Sequence, residues 1–323
     1  MTEPVVSVIV PTADRPTELR GCVAALTALD HPPDRLEVLV VDDGGSADLG
    51  AVLPADPRVR VVRRAERGGP GAARNTGAAA AAGDVLAFTD DDCRPDPGWL
   101  GALTAELATT PRAAVGGRTI NALTANPYAG ASQHIQDLVY AHYNRNPSAA
   151  SFFASNNLAL PRADFLAIGG FDARRFPFAS EDRDLCDRWL ASGRTLRYAP
   201  RALVRHAHDL DLGGFTRQHL AYGRGAARFH AARAARGTGR LCDTATFHGD
   251  PSLWRESLRH HRRAVPLLVL WQLANAAGYA LERGRWRTRA RALSSWPTAP
   301  GWSSGTSSRS RSIRTRGSAT TAD

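Results

Sequence analysis

Short apolar runs and polar turns alternate along the first hundred residues of the chain. Four runs rich in Val, Ile and Leu predict strands, at 5–10, 36–41, 59–62 and 85–88. Helix-compatible stretches lie between them, at 16–29, 46–53 and 71–82. Nearly continuous apolar strands that alternate with helices predict an α/β fold with a mostly parallel central sheet covered on both faces. In such a sheet, ligands bind at the carboxyl ends of the strands.

The pattern becomes less regular beyond residue 100. Strands are predicted at 113–120 and 152–160, and two short strands at 195–206 around Pro200. Apolar positions at helical spacing predict a helix over 180–191, and residues 132–143 fit either a helix or a long loop. Further helices are expected over 213–235 and 252–283.

These elements predict three regions. A catalytic domain covers 1–212, with a nucleotide-binding half at about 1–100 and an acceptor half at about 101–212. A helical, basic extension follows over 213–293. Ser, Arg, Thr, Gly and Pro dominate the tail 294–323, which has almost no aliphatic residues and is therefore expected to be disordered.

The net charge of +10 is unevenly distributed. Residues 1–212 contain 22 Arg against 26 Asp and Glu, whereas 213–323 contain 19 Arg against 5 acids. The chain has no Lys, which excludes a P-loop lysine and Schiff-base chemistry. A strongly basic C-terminal third favours an anionic partner, either a membrane surface or a nucleic acid.

An apolar stretch behind Arg262 and Arg263 bears on that choice. It is interrupted by Gln272 and Asn275 and is shorter than the roughly 20 apolar residues of a spanning helix. It predicts either a helix in the membrane interface, with tryptophans at the headgroups (Trp254, Trp271, Trp286), or a helix packed on the catalytic domain.

Cysteine usage and the N-terminus indicate a compartment. The four cysteines form no CxxC pair, so neither a disulfide framework nor a thiolate zinc site is expected. The first residues lead directly into a strand without a basic and apolar leader, and no secretory signal is expected. We therefore expect a cytoplasmic protein, with peripheral attachment to the inner face of the cell membrane as an option.

The most informative chemistry follows the fourth predicted strand. Asp90, Asp91 and Asp92, hereafter the aspartate cluster, stand at the tip of the apolar run 85–88. Three adjacent carboxylates repel one another unless a cation or water offsets the repulsion. They fit either a solvated acidic loop or a site for Mg²⁺ or Mn²⁺ completed by a diphosphate.

Two further segments point toward the same edge of the sheet. Asp42 and Asp43 end the second strand, where carboxylates suit hydrogen bonding to a base or ribose, and the glycines after them fit a turn that leads to Ser46 as a helix cap. The Gly-rich run 68–77 places free N–H groups and Arg74 at the start of a helix, which suits an anion. No Gly-rich turn follows the first strand, so a nicotinamide-binding domain is not expected.

The order of these segments resembles the family 2 glycosyltransferases, enzymes of the GT-A fold that use nucleotide sugars. The matching segments are 8–12, 40–44, 71–77, 88–93, 155–160, 169–172, 181–185 and His206. The resemblance covers residues 5–210. It implies a metal-dependent glycosyltransferase, inverting by single displacement, that moves a sugar from a UDP-, GDP- or TDP-sugar to a hydroxyl acceptor of glycan, lipid-linked or small-molecule type, as in cell-envelope or polysaccharide biosynthesis.

The resemblance also implies roles for individual residues. Pro11, Asp42 and Asp43 would line the nucleoside pocket, and Arg74 would position the diphosphate or ribose. Asn156 would lie near the donor sugar or the acceptor.

In the family, the aspartate cluster would be the DxD motif that holds Mn²⁺ or Mg²⁺. Asp90 and Asp92 are the formal pair. Our preferred assignment gives Asp92 to the metal and Asp91 to the ribose or the metal shell. His206 would approach the metal or the diphosphate. His206 and His208 alternate along a predicted strand, so their rings are expected on opposite faces, which argues against a two-histidine zinc site.

Glu181 and Asp182 begin a predicted helix. Acids at a helix start are common because they interact favourably with the helix dipole, and they need have no catalytic role. Displacement at an anomeric carbon also needs a carboxylate to take the proton of the acceptor hydroxyl. With the resemblance, Asp182 is the expected base and Glu181 the second choice.

Two other classes of function compete with this prediction. A nucleotidyltransferase would combine a similar sheet with an acidic metal site, but it normally needs a Gly-rich basic loop after the first strand, which residues 11–13 do not supply. A nucleic-acid-binding module would use the basic third. That region has no zinc-finger, helix-turn-helix or RNP pattern, and nucleic acid is not an expected partner.

Overall fold

The computed structural model describes residues 4–239, 247–248 and 250–294. The chain divides into two compact units, residues 1–284 and 285–323, and the sheet, the helices around it and the site all belong to the first. The predicted disorder of 294–323 and the fourth cysteine, Cys242, lie outside the described residues apart from Ser294.

Eight strands form one sheet. They are β1 (Val6–Thr12), β2 (Leu36–Asp43), β3 (Val59–Arg64), β4 (Val85–Phe88), β5 (Cys93–Pro95), β6 (Ala113–Asn121), β7 (Leu158–Pro161) and β8 (Thr195–His206). The α-helices are α1 (Pro16–Thr27), α2 (Leu49–Val52), α3 (Pro70–Ala80), α4 (Trp99–Thr109), α5 (Pro127–Tyr143), α6 (Arg162–Ala167), α7 (Glu181–Ala191), α8 (Leu212–Arg236), α9 (Pro251–His260) and α10 (Val265–Ser294).

The strand order is β3-β2-β1-β4-β7-β6-β8-β5. The pairs β3–β2, β2–β1, β1–β4 and β6–β8 are parallel, which confirms the predicted parallel core of the first half. β7 runs antiparallel between β4 and β6, and β5 runs antiparallel to β8. The sheet is therefore an α/β sheet of mixed direction, and its parallel part carries the tips of β1, β2 and β4 to one edge.

Alternating apolar residues explain why both faces of this sheet are covered. Along β1, Val8 and Val10 pack into the core cluster beneath α1 and α4, whereas Ile9 packs on the opposite face against α3. Gly77 of α3 allows that helix to approach closely, since a Cβ there would lie 2.6 Å from Ile9 Cγ2. Burial on both faces fixes the strand tips, and with them the site.

Several predicted elements differ in the structure. The strand expected over 152–160 is limited to β7, because the preceding residues form a turn around Asn156. The two strands expected around Pro200 are one strand whose pairing with β6 skips three residues between Ala199 and Leu203, since proline lacks the N–H that regular pairing requires. The helix over 46–53 shrinks to α2, whose cap is Asp48 and not Ser46.

The C-terminal helices pack on α5. Ile135, Phe215, Leu268 and Trp271 share one buried cluster. The stretch Arg262–Trp286 is longer than the pattern predicted, because Gln272 and Asn275 lie within the helix without interrupting it. By length and composition alone it is long and apolar enough to cross a membrane, with a mean hydropathy of 1.4 over its most apolar part, of which 22% is buried.

Candidate active site

A cavity of about 710 Å³ opens at the carboxyl edge of β1, β2 and β4. Ten of the eleven predicted site residues line it, namely Pro11, Asp43, Arg74, Asp90, Asp91, Asp92, Asn156, Glu181, Asp182 and His206. The eleventh, Asp42, is buried beside them, and its carboxylate accepts a hydrogen bond from the N–H of Gly45 at 2.8 Å. The structure thus brings together residues that are up to 195 positions apart in the chain.

Asp91 and Asp92 are buried and share one cationic partner. Arg15 donates from Nη1 to Asp91 Oδ1 at 2.7 Å and from Nη2 to Asp92 Oδ2 at 2.9 Å. Thr12, at the tip of β1, donates its hydroxyl to Asp91 at 2.8 Å. Asp14 has a positive φ of 55°, and this turn directs Arg15 back over the cluster. Burial raises the pKa of Asp91 to about 7 although Arg15 and Thr12 oppose the shift.

His206 binds the other oxygen of Asp92. Its Nε2 lies 3.1 Å from Asp92 Oδ1, because β8 pairs with β5 and places His206 directly opposite Cys93. Burial opposes the shift, but this hydrogen bond and the charge of Arg15 hold the pKa of Asp92 well below its usual value. Burial lowers the pKa of His206, yet Asp92 outweighs it and the net pKa is raised.

The predicted orientation of the two histidines is wrong. The rings of His206 and His208 stack with centroids 4.9 Å apart. The strand ends at His206, so the alternation expected of a strand does not reach His208. Burial and the neighbouring His206 lower the pKa of His208 to about 4, which leaves it a neutral imidazole at pH 7.

The donor set around Asp92 fits a hard divalent cation. The ligand atoms of Asp92, Cys93 and His206 lie within 4.8 Å of one another. Burial raises the pKa of Cys93 well above its usual value, so its thiol stays protonated and the useful donors are carboxylate and imidazole. Oxygen donors with one imidazole suit Mn²⁺ or Mg²⁺ better than a thiolate-bound metal.

Arg74 links the aspartate cluster to the carboxylate pair of α7. It is 3% exposed and donates from Nη2 to Asp90 at 2.6 Å and from Nη1 to Glu181 at 3.0 Å. α3 begins at Pro70 and presents Arg74 one turn later, so the Gly-rich run positions this guanidinium as expected. In the structure, both terminal nitrogens of Arg74 donate hydrogen bonds to carboxylates.

Asp182 differs from the other acids of the cavity. Its Oδ1 accepts the N–H of Arg183 at 2.7 Å, and no guanidinium of the described residues lies within ion-pair distance. Burial, followed by the charge of Glu181, raises the pKa of Asp182 to about 7. Ser180 before the pair has a positive φ of 71°, which turns the chain sharply at the start of α7.

Asp43 and Asn156 accept hydrogen bonds from nearby residues. Asp43 accepts Arg64 Nε at 2.7 Å and the N–H of Gly69 at 2.7 Å. This contact ties the end of β2 to the start of α3. Asn156 is buried, and its Oδ1 accepts the hydroxyl of Thr119 at 3.4 Å.

Sequence reasoning missed two parts of the cavity. Arg15 follows the first strand tip directly, and its position in an acidic neighbourhood was the available signal. The wall opposite the aspartate cluster comes from α5, α8 and α10, and includes Tyr143, His219 and Trp271. The sequence left Trp271 either at a membrane surface or in a helix packed on the catalytic domain. The residue is buried and lines the cavity, which fits the packed helix. The side chain of Trp254 lies outside the description.

Two solved structures share the fold of this chain. The mannosyltransferase PcManGT from Pyrobaculum calidifontis, in complex with GDP-Man and Mn²⁺, superposes with a TM-score of 0.60 at 21% identity over 92% of this chain and 82% of its own. GalNAc-T7 with UDP, GalNAc and Mn²⁺ gives a TM-score of 0.55 at 16% identity, over 77% of this chain and 54% of its own. At these identities the likeness defines the class of fold, GT-A.

The family follows from the sequence. The model of glycosyl transferase family 2 matches residues 7–179, more than half of the chain, and the protein belongs to that family. The pre-mycofactocin glycosyltransferase of Mycobacterium tuberculosis is 32% identical over 228 residues, which are 69% of this chain and 47% of the relative. Glycosyltransferase AglE of Haloferax volcanii is 35% identical over 120 residues, 36% of this chain and 40% of the relative. The chain thus spans less than half the length of these relatives.

Proposed function

We propose that the protein transfers a sugar from a nucleoside diphosphate donor to a hydroxyl acceptor, with inversion at the anomeric carbon. The observation that carries the proposal is the convergence of three groups on one cavity: the aspartate cluster, the Arg74 bridge and the carboxylate of Asp182. Membership in glycosyl transferase family 2 and GT-A neighbours that hold nucleotide sugars support the same class of reaction.

Asp182 is the proposed base. Five other acids of the cavity are each paired with a guanidinium: Asp43, Asp90, Asp91, Asp92 and Glu181. A paired carboxylate is a weaker proton acceptor, because the cation stabilises its charged form. Asp182 has no such partner among the described residues, and a pKa near 7 suits a group that must take a proton at neutral pH. Burial raises the pKa of Asp91 to about 7 as well, but Arg15 and Thr12 occupy both of its oxygens.

The chemical step then requires one displacement. Asp182 accepts the proton of the acceptor hydroxyl while the oxygen of that hydroxyl bonds to the anomeric carbon. The bond from the anomeric carbon to the diphosphate oxygen breaks in the same step. The sugar inverts because attack and departure occur on opposite faces. Arg74 holds Glu181, which precedes the base directly, and so fixes the start of α7.

Asp92 and His206 would hold the divalent cation, with Asp91 beside them and Asp90 at the edge of the site. When bound, Mn²⁺ or Mg²⁺ supplies Lewis-acid stabilisation of the negative charge on the departing diphosphate. The presence of Mn²⁺ in both structural neighbours supports this assignment. Pro11, Asp42, Asp43 and Arg74 remain the proposed nucleoside and ribose side of the donor site, and Asn156 the sugar side.

The test incubates the protein with UDP-, GDP- and TDP-sugars in the presence of Mn²⁺ and measures hydrolysis of the donor and transfer of the sugar. We expect release of a nucleoside diphosphate, lost in Asp92→Ala and reduced about 10²- to 10⁴-fold in Asp182→Asn, the range for loss of a general base. Asp34→Asn is the matched control, since its side chain is 81% exposed and does not line the cavity. Release of pyrophosphate would indicate a nucleotidyltransferase instead, and wild-type activity in Asp182→Asn would refute the base.

We also propose that the protein attaches peripherally to an anionic membrane surface. Val269, Leu273 and Leu281 of α10 are exposed, and Arg262 and Arg263 precede this face. Exposed leucines beside arginines are typical of a helix that binds headgroups and the upper acyl region. Co-flotation with vesicles of phosphatidylglycerol and phosphatidylcholine, but not phosphatidylcholine alone, is expected. Equal flotation of the double variant Leu273→Ser/Leu281→Ser and wild type would show that this face of α10 does not bind the membrane.

A further inference from the structure

We infer that the part of the cavity between α5, α7 and the C-terminal helices is the acceptor site, and that it takes a hydroxyl compound that carries an aromatic ring. The inference rests on the proposed function. It adds a class of acceptor to that function, and it starts from side chains that the reaction itself does not use.

The wall of this region is a chain of four aromatic residues. The ring of Phe152 lies 6.4 Å from that of Tyr143, Tyr143 lies 5.9 Å from Phe247, and Phe247 lies 6.1 Å from Trp271. All four line the cavity. Aromatic rings favour edge-to-face and offset contacts at centroid distances of about 4.5–7 Å, and a ring from a ligand extends such a series at little cost. Hereafter these four residues are the aromatic wall.

The aromatic wall starts beside the proposed base. Arg183, the residue after Asp182, holds its guanidinium over the rings of Tyr143 and Phe152 at 5.9 and 6.0 Å. Asp182 lines the same cavity as the aromatic wall, so a compound seated on the wall occupies the space that this carboxylate faces. This placement explains how a hydroxyl attached to, or near, an aromatic ring reaches the carboxylate that must take its proton.

Polar atoms without a partner face the same space. His219 is 1% exposed, and both of its ring nitrogens have no hydrogen-bond partner among the described residues. Gln218 Oε1 and Tyr143 Oη are also buried and unpaired there. Leaving a buried polar atom unpaired is costly, and groups of this kind are normally satisfied by a ligand or by water. All three side chains line the cavity.

The balance of these groups favours a compact aromatic ligand over a long glycan. Four rings form one surface, and the unpaired polar atoms come from a few side chains of α5 and α8. A site for a sugar chain would need hydrogen-bonding groups along its whole length, since each buried hydroxyl must be satisfied. A pocket that is mostly apolar with a few placed polar groups is typical of small-molecule recognition.

The test uses three β-D-glucopyranosides that share one sugar and differ in the aglycone: phenyl, hexyl and methyl. Phenyl and hexyl each add six carbons, so that ring shape is separated from apolar size. Equilibrium binding is measured by titration calorimetry in the absence of any donor, and the result therefore does not depend on transfer. Failure of the proposed function would appear as loss of donor hydrolysis, whereas failure of this inference would appear only in binding.

We expect phenyl glucoside to bind about tenfold or more tightly than methyl glucoside and more tightly than hexyl glucoside. Trp271→Leu should reduce the phenyl preference at least about fivefold, while Leu166→Ala, at an exposed apolar residue of α6 outside the cavity, should leave it unchanged. Tyr143→Leu is the second variant if Trp271→Leu does not fold. His219→Phe keeps the ring but removes its nitrogens, and should weaken phenyl and methyl glucoside by a similar factor.

Three results would overturn the inference. Equal binding of phenyl and methyl glucoside would show that the wall does not contact the acceptor. Tighter binding of hexyl than phenyl glucoside would assign the region to an acyl chain. A phenyl preference that survives in folded Trp271→Leu and Tyr143→Leu would place the ring elsewhere.

Discussion

Replacing Arg74 with methionine removes the cation that joins the aspartate cluster to α7. Methionine keeps much of the apolar stem of arginine but cannot donate a hydrogen bond. The substitution leaves Asp90 and Glu181 without their guanidinium. It therefore measures how far the acidic cavity depends on one buried charge.

The magnitude follows from the exposure of the two partners. The Glu181 side chain is 8% exposed, so its loss of a partner resembles the breaking of a buried ion pair, which costs about 3–5 kcal/mol. The Asp90 side chain is 30% exposed, and solvent reduces the cost of its unpaired charge to about 1 kcal/mol or less. Because the cavity edge admits some water, we expect Arg74→Met to lower the free energy of unfolding by about 3–4 kcal/mol.

A double-mutant cycle with Glu181→Met tests the reasoning. Urea unfolding at neutral pH with EDTA gives the free energy of unfolding for wild type, both single variants and the double variant. The double variant should cost at least about 2 kcal/mol less than the sum of the singles, because the Glu181 carboxylate that loses its guanidinium in Arg74→Met is absent from it. Arg35→Met, on an exposed pair with Asp34, should change stability by about 0.5 kcal/mol or less. Additive costs, or a loss below about 1 kcal/mol in Arg74→Met, would refute the proposed link.

Three further predictions concern other parts of the site. Since Asp182 works as a carboxylate and burial raises its pKa to about 7, kcat/KM should fall about tenfold per pH unit below pH 7, and a profile flat down to pH 5 would contradict this. Arg15→Gln should unfold at a lower temperature than wild type in EDTA. Saturating Mn²⁺ should raise its unfolding temperature by more than that of wild type in thermal-shift measurements, because the cation then replaces the missing positive charge. Equal increases in unfolding temperature would show that Arg15 and the cation do not compete. Gly69→Ala should cost about 2 kcal/mol or more in urea unfolding, since φ is 84° and the new Cβ would lie 2.0 Å from the Pro177 carbonyl oxygen, whereas Gly98→Ala, with open space, should be nearly neutral.

The positions of Asp42, Asp43 and the aspartate cluster could be predicted from the sequence because these residues lie at the ends of regular strands. An apolar run that ends at Asp42 or Asp90 predicts that the carboxylate lies at the carboxyl edge of the sheet, since parallel strands end at a common edge. The same logic failed for His208, which lies beyond the end of its strand. It also failed for 152–160, where apolar residues at 152–153 pack as loop side chains and not as a strand.

The aromatic wall could not be predicted because nothing local marks it. Trp271 and Tyr143 are 128 positions apart, and each reads as an ordinary apolar residue of a helix. Which face of a helix meets a cavity depends on how α5, α8 and α10 pack together, and that packing is a long-range property. The two alternatives left open for Trp271 show the consequence, since burial and interfacial exposure share one apolar pattern.

The choice between Glu181 and Asp182 illustrates what packing adds to sequence. Adjacent acids at a helix start are equivalent in the sequence, and both feel the same helix dipole. Residues one position apart on a helix point about 100° apart, so α3 can reach only one of them with Arg74. The ion pair with Glu181 thereby leaves the neighbouring carboxylate unpaired toward the cavity, with a pKa near 7. A guanidinium donated by one helix thus supports the assignment of the base on another, because it neutralises the competing acid.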